Sequence, residues 1–164
     1  MQATSGTGNV TLDLSGAITA KNGVYASSGG GDVTVKTSDT VKADVAGIYA
    51  ATSGKGAMTV TTGDTVTAGT GDGVVAVNEE GVNSITIGTG GVTAGGNGVI
   101  GQSTSGSLKI ASHGDISGAT GFGVAAVTTS GSIQIDLDAG TFVSGEKAGV
   151  AIATTSGTAV LNNA

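Results

Sequence analysis

Residues 47–72 read GIYAATSGKGAMTVTTGDTVTAGTGD, and this stretch decides the fold. It holds three short segments, Ile48-Tyr49-Ala50, Met58-Thr59-Val60 and Val66-Thr67-Ala68. In each segment the first and third residues are apolar, a two-residue period typical of a β-strand with one buried face. Gly, Ser, Thr and Asp fill the short connections, and these residues favour tight turns. The stretch therefore predicts three strands joined by three turns.

The same pattern recurs along the whole chain. A glycine followed by an aliphatic residue returns at intervals of 24, 26, 25, 25 and 26 residues, and a Ser-Gly pair keeps the same phase. Two markers with one period indicate an internal repeat of about 25 residues. The first marker stands at Gly23-Val24, Gly47-Ile48, Gly73-Val74, Gly98-Val99, Gly123-Val124 and Gly149-Val150. The second stands at Ser5-Gly6, Ser28-Gly29, Ser53-Gly54, Ser105-Gly106, Ser130-Gly131 and Ser156-Gly157, with Glu80-Gly81 in the remaining repeat.

Stacking the repeats turns each segment into a column of strands. The outer residues of every triplet then face a shared core, and the middle residue faces water. In the fourth repeat we expect Ile85-Thr86-Ile87 to supply the second strand, and in the sixth Phe142-Val143-Ser144 to supply the third. The predicted outward column of the second strands is Thr11, Thr34, Thr59, Thr86, Lys109 and Gln134, with aliphatic flanks throughout. No single coil can bury its own inner face, but stacked coils can.

The sequence therefore predicts an all-β fold, a right-handed three-stranded parallel β-helix with six to seven coils of about 25 residues. We expect residues 1–164 to form a single β-solenoid segment with no second domain. Aromatic residues make up only 2% of the chain, so Val, Ile, Leu and Ala must fill a thin interior.

Composition excludes several classes of function. The net charge is −6 and arginine is absent, which argues against nucleic-acid binding because phosphate recognition needs a basic surface. Cysteine is absent, so no disulfide or thiolate metal site can form. No apolar run approaches the roughly 20 residues of a membrane-spanning helix, so we expect no membrane insertion by this segment. We expect no cofactor.

Segments such as Gly47-Ile48-Tyr49-Ala50-Ala51-Thr52-Ser53-Gly54, followed by residues 56–66, resemble the passenger repeats of bacterial autotransporters. The resemblance in style covers nearly the whole chain. It implies a right-handed β-helix that is exported and presented outside the cell by a C-terminal outer-membrane barrel, and a function as a stalk or adhesin. It also implies an extracellular location at the bacterial surface, with a host or bacterial surface glycan or protein as the partner. The chain starts and stops in the middle of a coil, so we expect a piece of a longer passenger.

The least polar outward column belongs to the first strands and is the predicted interaction stripe. Exposed apolar patches often mark binding sites, and tyrosine is enriched at interfaces. The alternative is that a neighbouring part of the parent protein, or a long turn, covers this column. Its members are Tyr25, Tyr49, Val75, Ile100, Ala125 and Ala151.

Other polar residues receive a structural interpretation. Asp39, Asp64 and Asp115 recur in the turn between the second and third strands, where aspartate stabilises turns, and we prefer this role to a calcium ladder. His113, the only histidine, is expected to be a solvated turn residue.

The pair Thr59 and Thr61 suggests a threonine array, but the predicted second column reads Asp13, Lys36, Thr61, Gly88, Ala111 and Asp136, so ice binding is not favoured. Asp13 and Lys36 are expected to stack as an exposed ion pair.

The leading interpretation is a non-catalytic structural or adhesive rod. The first alternative is a fragment of a carbohydrate-active β-helix enzyme, in which Asp136 and Asp138 would share one face and act as acid and base. The second is a natural or engineered solenoid scaffold with no activity of its own. Because no cap is visible at either end, we also expect end-to-end self-association.

Overall fold

The computed structural model describes all residues from Met1 to Ala164 and contains twenty β-strands and no helix. The strands form three parallel sheets, and each coil contributes one strand to each sheet before the chain rises to the next coil. Strand partners lie about 25 residues apart in sequence, as in the pairing of Tyr49 with Val75. The predicted three-stranded parallel β-helix is confirmed.

The first sheet contains, in spatial order, β1 (Gln2–Ser5), β4 (Val24–Ser28), β7 (Ile48–Thr52), β10 (Val74–Asn78), β13 (Val99–Ser103), β16 (Phe122–Thr128) and β19 (Ala148–Thr154). The second contains β2 (Val10–Leu14), β5 (Val33–Thr37), β8 (Met58–Thr62), β11 (Asn83–Ile87), β14 (Leu108–Ser112), β17 (Ile133–Leu137) and β20 (Ala159–Asn163). The third contains β3 (Ile18–Ala20), β6 (Val41–Ala43), β9 (Val66–Ala68), β12 (Val92–Ala94), β15 (Ile116–Gly118) and β18 (Val143–Gly145). Coils 1 to 6 each comprise three consecutive strands, from β1–β3 in coil 1 to β16–β18 in coil 6. Coil 7 comprises β19 and β20.

The core is a narrow aliphatic column between the three sheets. One cluster of 25 buried apolar residues runs from Val10 to Leu137. In the second sheet, Val35, Val60, Ile85, Ile110 and Ile135 succeed one another in register and are fully buried. Each coil covers the inner face of the next one, which explains why small aliphatic side chains suffice to fill the interior.

The glycine of the Gly-aliphatic marker is required by close packing between coils. A Cβ placed on Gly47 would lie 2.7 Å from Cγ1 of Val66 and would overlap the carbonyl oxygen of Gly73 in the next coil. Gly23, Gly73, Gly98 and Gly123 have the same two kinds of neighbour, an aliphatic side chain of the third sheet and the carbonyl of the next glycine. The marker therefore recurs because the chain passes here without room for a side chain.

The Ser-Gly marker combines two different turn positions, so its predicted single phase is wrong. Ser28 pairs with Thr52 in the next coil, not with Ser53. The recurring feature is an inward polar side chain at the end of each first-sheet strand. Oγ of Ser28 accepts the N–H of Gly31 at 2.8 Å and donates to the carbonyl of Gly8 at 2.9 Å. Thr52, Asn78, Ser103, Thr128 and Thr154 occupy the same column.

The predicted register of coil 4 is wrong by two residues. Asn83, not Ile85, pairs with Met58, and Thr86 pairs with Thr61. Asn83 therefore interrupts a column that was expected to be aliphatic throughout, and it is completely buried. Its Nδ2 donates to the carbonyl oxygens of Ala76 and Gln102, at 3.0 and 3.1 Å. Those two bonds allow the amide to enter the core, since a buried donor without a partner would be costly.

The last strand of the third sheet is shifted by one residue. Val143, not Phe142, pairs with Ile116, and Val143 packs against the core. Phe142 faces outward with 67% of its surface exposed. The turn before β18 is longer than in most coils, which moves Phe142 out of the strand.

Candidate interaction face and turn notch

The predicted interaction stripe forms one continuous outward column on the first sheet. The register joins Tyr25 to Tyr49, Tyr49 to Val75, and Val75 to Ile100. The rings of Tyr25 and Tyr49 stack with centroids 5.2 Å apart and planes within 5° of parallel. Tyr25 is 39% exposed, so the pair presents an aromatic edge to solvent.

A second outward column lies beside the stripe and was missed from the sequence. From β4 onward the first-sheet strands have five or more residues. The residue two positions after each member of the stripe therefore also faces outward. The second column comprises Ser27, Ala51, Val77, Gln102, Val127 and Ala153. Extending each predicted triplet by one further period of two would have found it. We call the two columns together the first-sheet face.

The first-sheet face carries no charged residue over its whole length. From coil 2 to coil 7 its two columns contain only Tyr, Val, Ile, Ala, Ser and Gln. Charges do occur on the outward columns of the other sheets, for example Lys36 and Asp136 on the second and Lys42 on the third. The first-sheet face is therefore the one surface of the rod where an apolar partner would displace no charge.

A shallow groove of about 410 Å³ lies beside the tyrosine pair. Tyr25 and Tyr49 form one wall, and Asn22 and Gln2 provide amide groups. An aromatic wall next to a few polar groups is a common composition of ligand-binding clefts. The groove extends the first-sheet face toward coil 1.

Aspartates in the turn between the second and third sheets stabilise that turn, as expected for Asp39 and Asp64. Oδ1 of each accepts the N–H of the following residue at 2.7 Å. Asp64 also accepts the hydroxyl of Thr40 at 3.2 Å. The Thr65 N–H and then the Thr40 hydroxyl lower the pKa of Asp64 below its ordinary value of 3.8.

Asp115 does not repeat that arrangement. Its Oδ1 accepts the N–H of Phe142 in the next coil at 2.8 Å. The residue before it is Gly114, so the Asp115 N–H lacks the carboxylate that Asp39 and Asp64 supply in their turns, and it donates to no other acceptor in the structure.

Asp136 and Asp138 have separate partners, which weakens the acid–base interpretation. Asp136 accepts Nδ2 of Asn162 at 2.7 Å and Nε2 of Gln134 at 2.8 Å, and Lys109 Nζ lies 3.4 Å from it. Asn162, then Gln134, then Lys109 lower the pKa of Asp136. A general acid for glycoside cleavage needs a raised pKa, and here the shift is in the opposite direction.

His113 occupies an exposed turn, as expected, but it has a partner. Its Nδ1 lies 2.7 Å from Oδ2 of Asp138 in the turn of the next coil. Asp13 and Lys36, in contrast, are neighbours in register but form no ion pair within 4 Å.

The turn that contains His113 lies between two lengthened turns. Three residues separate the second- and third-sheet strands in coils 1, 2, 3 and 5, whereas four do so in coil 4 and five in coil 6. The lengthened turns contain the only residues with positive φ, Gly91 at 73° and Gly140 at 83°. Between them lies a polar depression of about 240 Å³, which we call the turn notch. The unequal spacing of the strands was the signal in the sequence that could have revealed it.

The turn notch presents both donors and acceptors. Thr89 and Thr141 contribute hydroxyl groups that make no hydrogen bond within the chain, and the exposed Gly90 and Gly140 leave the backbone accessible, whereas Gly114 is buried at the base of the notch. Ala139 is the only apolar residue in its lining. No group of three His, Asp or Glu side chains is arranged to hold a metal ion.

The corrected register also changes the threonine columns on the second sheet. Ser84 replaces Thr86 beside Thr59, and Thr86 replaces Gly88 beside Thr61. Coils 3 and 4 therefore form a small hydroxyl patch, but Lys36 and Ala111 flank it in the neighbouring coils. A regular array still does not form, and ice binding remains unfavoured.

The structure contains no helix and therefore no helical segment that could span a membrane. Comparisons with protein-family models, with curated proteins and with solved structures found no match to this chain.

Proposed function

We propose that the chain is a non-catalytic, rigid rod segment of a bacterial surface protein of the autotransporter type, and that it adheres through the first-sheet face. The observation that carries the proposal is that face: two uncharged outward columns that run along the rod and include the stacked Tyr25 and Tyr49.

The β-helix supports the rod function. Backbone hydrogen bonds connect each coil to the next on three sides, and six steps of about 4.8 Å give a length of roughly 30 Å. Such a stack contains no hinge between separate domains, so it suits a spacer that holds binding groups at a fixed distance from a surface.

The first-sheet face supports the adhesive function. Tyrosine and aliphatic side chains provide contact area with little entropy cost, and the absence of charge removes a desolvation penalty. The remaining surface is acidic overall, with a net charge of −6, which discourages non-specific attachment to anionic surfaces. The partner is a glycan or protein of a host or bacterial surface, and the location is extracellular.

The test is a binding screen against glycans, extracellular-matrix proteins and whole cells. The double variant Tyr25→Ser, Tyr49→Ser should lose binding while retaining β-rich circular dichroism. The matched control is Thr34→Ser, Thr59→Ser, which changes outward residues of the same two coils on the second sheet. Equal binding by both double variants, or no binding by the unaltered chain, would refute adhesion through this face.

A further inference from the structure

We propose that the turn notch binds a single neutral sugar residue through hydrogen bonds. Sugar binding here would be separate from the rod function, because the notch lies on the turns between the second and third sheets and not on the first-sheet face.

The notch is a product of turn lengths that depart from the repeat. Coil 5 keeps the three-residue turn. The turn above it and the turn below it are longer, by one residue in coil 4 and by two residues in coil 6. The inserted turns have a definite conformation. The N–H of Thr141 donates to the carbonyl of Asp138 at 3.0 Å, with Gly140 at the positive-φ position of that turn. The N–H of Gly91 donates to the carbonyl of Gly88 at 3.1 Å.

The packing around coil 5 also keeps the floor of the notch free of side chains. A Cβ on Gly114 would lie 2.6 Å from the carbonyl oxygen of Gly88 and 2.7 Å from that of Thr89. Only glycine fits under the inserted turn of coil 4, so the aspartate found in coils 2 and 3 cannot occupy this place. The Asp115 N–H is consequently left available at the notch.

His113 is held so that its second nitrogen is available. Nδ1 of the ring bonds Oδ2 of Asp138 at 2.7 Å, and no other group bonds the ring. A carboxylate acceptor favours the proton on Nδ1, which makes Nε2 of the neutral ring an acceptor. Oδ2 of Asp115 is a second acceptor, because only Oδ1 is engaged by the chain.

The resulting set fits hydroxyl groups better than other ligands. A hydroxyl both donates and accepts, and the notch offers acceptors on His113 and Asp115, N–H donors, and the hydroxyls of Thr89 and Thr141. The volume of 240 Å³ is below the range of sites for drug-sized molecules and suits one small unit. The carboxylates of Asp115 and Asp138 disfavour an anion, and the lack of three convergent ligands disfavours a metal ion.

The experiment is a titration of the ¹⁵N-labelled chain with methyl glucoside, methyl galactoside and methyl mannoside, followed by amide chemical shifts. At least one sugar should give saturable shifts at Gly114, Asp115 and Gly140, with a dissociation constant in the millimolar range. His113→Ala and Thr141→Val should each weaken binding about tenfold, as expected for the loss of one hydrogen bond. Asp39→Asn, in the equivalent turn of coil 2, is the matched control and should bind normally.

Three results would overturn the proposal. The first is the absence of saturable shifts with all three sugars. The second is an equal response at the same amides to acetate or calcium, which would assign the notch to an ion. The third is unchanged affinity in both His113→Ala and Thr141→Val. Amide spectra of each variant away from the notch report whether its fold is intact.

Discussion

Asn83 crosses the core of coil 4 and donates a hydrogen bond of 3.0 Å from Nδ2 to the carbonyl oxygen of Ala76 on the first sheet. The same nitrogen donates to Gln102 at 3.1 Å, whereas Oδ1 is buried without a partner. The amide is therefore satisfied on one side only, in a column that is otherwise aliphatic.

Two substitutions at Asn83 should change the free energy of unfolding by very different amounts, because one replaces the bonded nitrogen and the other also removes the unpaired oxygen. In Asn83→Asp, a carboxylate would replace the donor and face two carbonyl oxygens, so we expect a loss of about 3 kcal/mol or more in the free energy of unfolding. In Asn83→Leu, which has the same number of side-chain heavy atoms, the unpaired oxygen disappears together with the donor, and the change should stay within about 1 kcal/mol or favour folding. Urea denaturation followed by circular dichroism measures both. Equal losses would contradict this account.

The sequence was sufficient to predict the β-helix, its period and most of the strands, because Val, Ile and Ala recur at the same places in every coil. It was insufficient for coil 4. The predicted register starts the second strand at Ile85-Thr86-Ile87, and the observed register starts it at Asn83-Ser84-Ile85. The two differ by a slip of two residues, which keeps every side chain on the same face. Local patterning favours the aliphatic placement. The turn decides against it, because four residues separate β10 from β11, as in most coils, and a slip would make them six.

Turn contacts account for the remaining differences. Asn78 holds the coil 4 turn by accepting the N–H of Gly81 at 2.9 Å and by donating to the carbonyl of Gly56 at 3.0 Å in the coil before it. These bonds involve residues of different coils, so no single repeat displays them. The turn notch depends likewise on three successive turns of unequal length. The outward column of Tyr25 and Tyr49 was predictable because it follows from strand periodicity alone.

Gly47→Ala should destabilise the protein by about 1–3 kcal/mol, because the new Cβ would meet Val66 and the carbonyl of Gly73. The matched control is Gly16→Ala, at a turn where a Cβ would meet nothing within 4 Å. Its free energy of unfolding should stay the same or increase by up to about 1 kcal/mol, through the lower entropy of the unfolded chain. Denaturation midpoints compare the two variants, and similar losses in both would show that the steric explanation is wrong.

Asp64 should make stability depend on pH. Its pKa is lowered in the folded state, so its contribution is present above the ordinary value of 3.8 and is lost as the pH falls through the folded-state pKa. Asp64→Asn should therefore be less stable than the unaltered chain at neutral pH, and the difference should shrink in acid. Urea titrations at a series of pH values test this. Thr40→Val, which removes one of the donors, should lose part of the same pH-dependent difference. A deficit that is independent of pH would rule out the ionised carboxylate as the cause.

The shift of β18 can be tested by a pair of serine substitutions. Val143→Ser should cost about 1–2 kcal/mol, because Val143 packs against the core, whereas Phe142→Ser should change stability by less than about 0.5 kcal/mol. Thermal or urea unfolding of the two variants gives the comparison. A larger loss for Phe142→Ser would restore the alignment first predicted from the sequence.

The terminal rungs of the 164-residue chain should associate end to end. Leu161 continues the inward column of Ile135 but is 46% exposed, and at the other end Leu12, Leu14 and Ile18 are only partly buried. The free edges of β1 and β19 can pair in parallel, as neighbouring coils do, when one copy is placed above another. Light scattering after size-exclusion chromatography should show a mass that rises with concentration.

Leu161→Lys should shift the chain toward the monomer, because a charge would enter the contact between coils. Val127→Lys is the matched control, since Val127 is 43% exposed but lies on the first-sheet face. If the unaltered chain were a monomer at every concentration, neither contact would exist. If Val127→Lys alone reduced the mass, the copies would be associating through the first-sheet face and not through their ends.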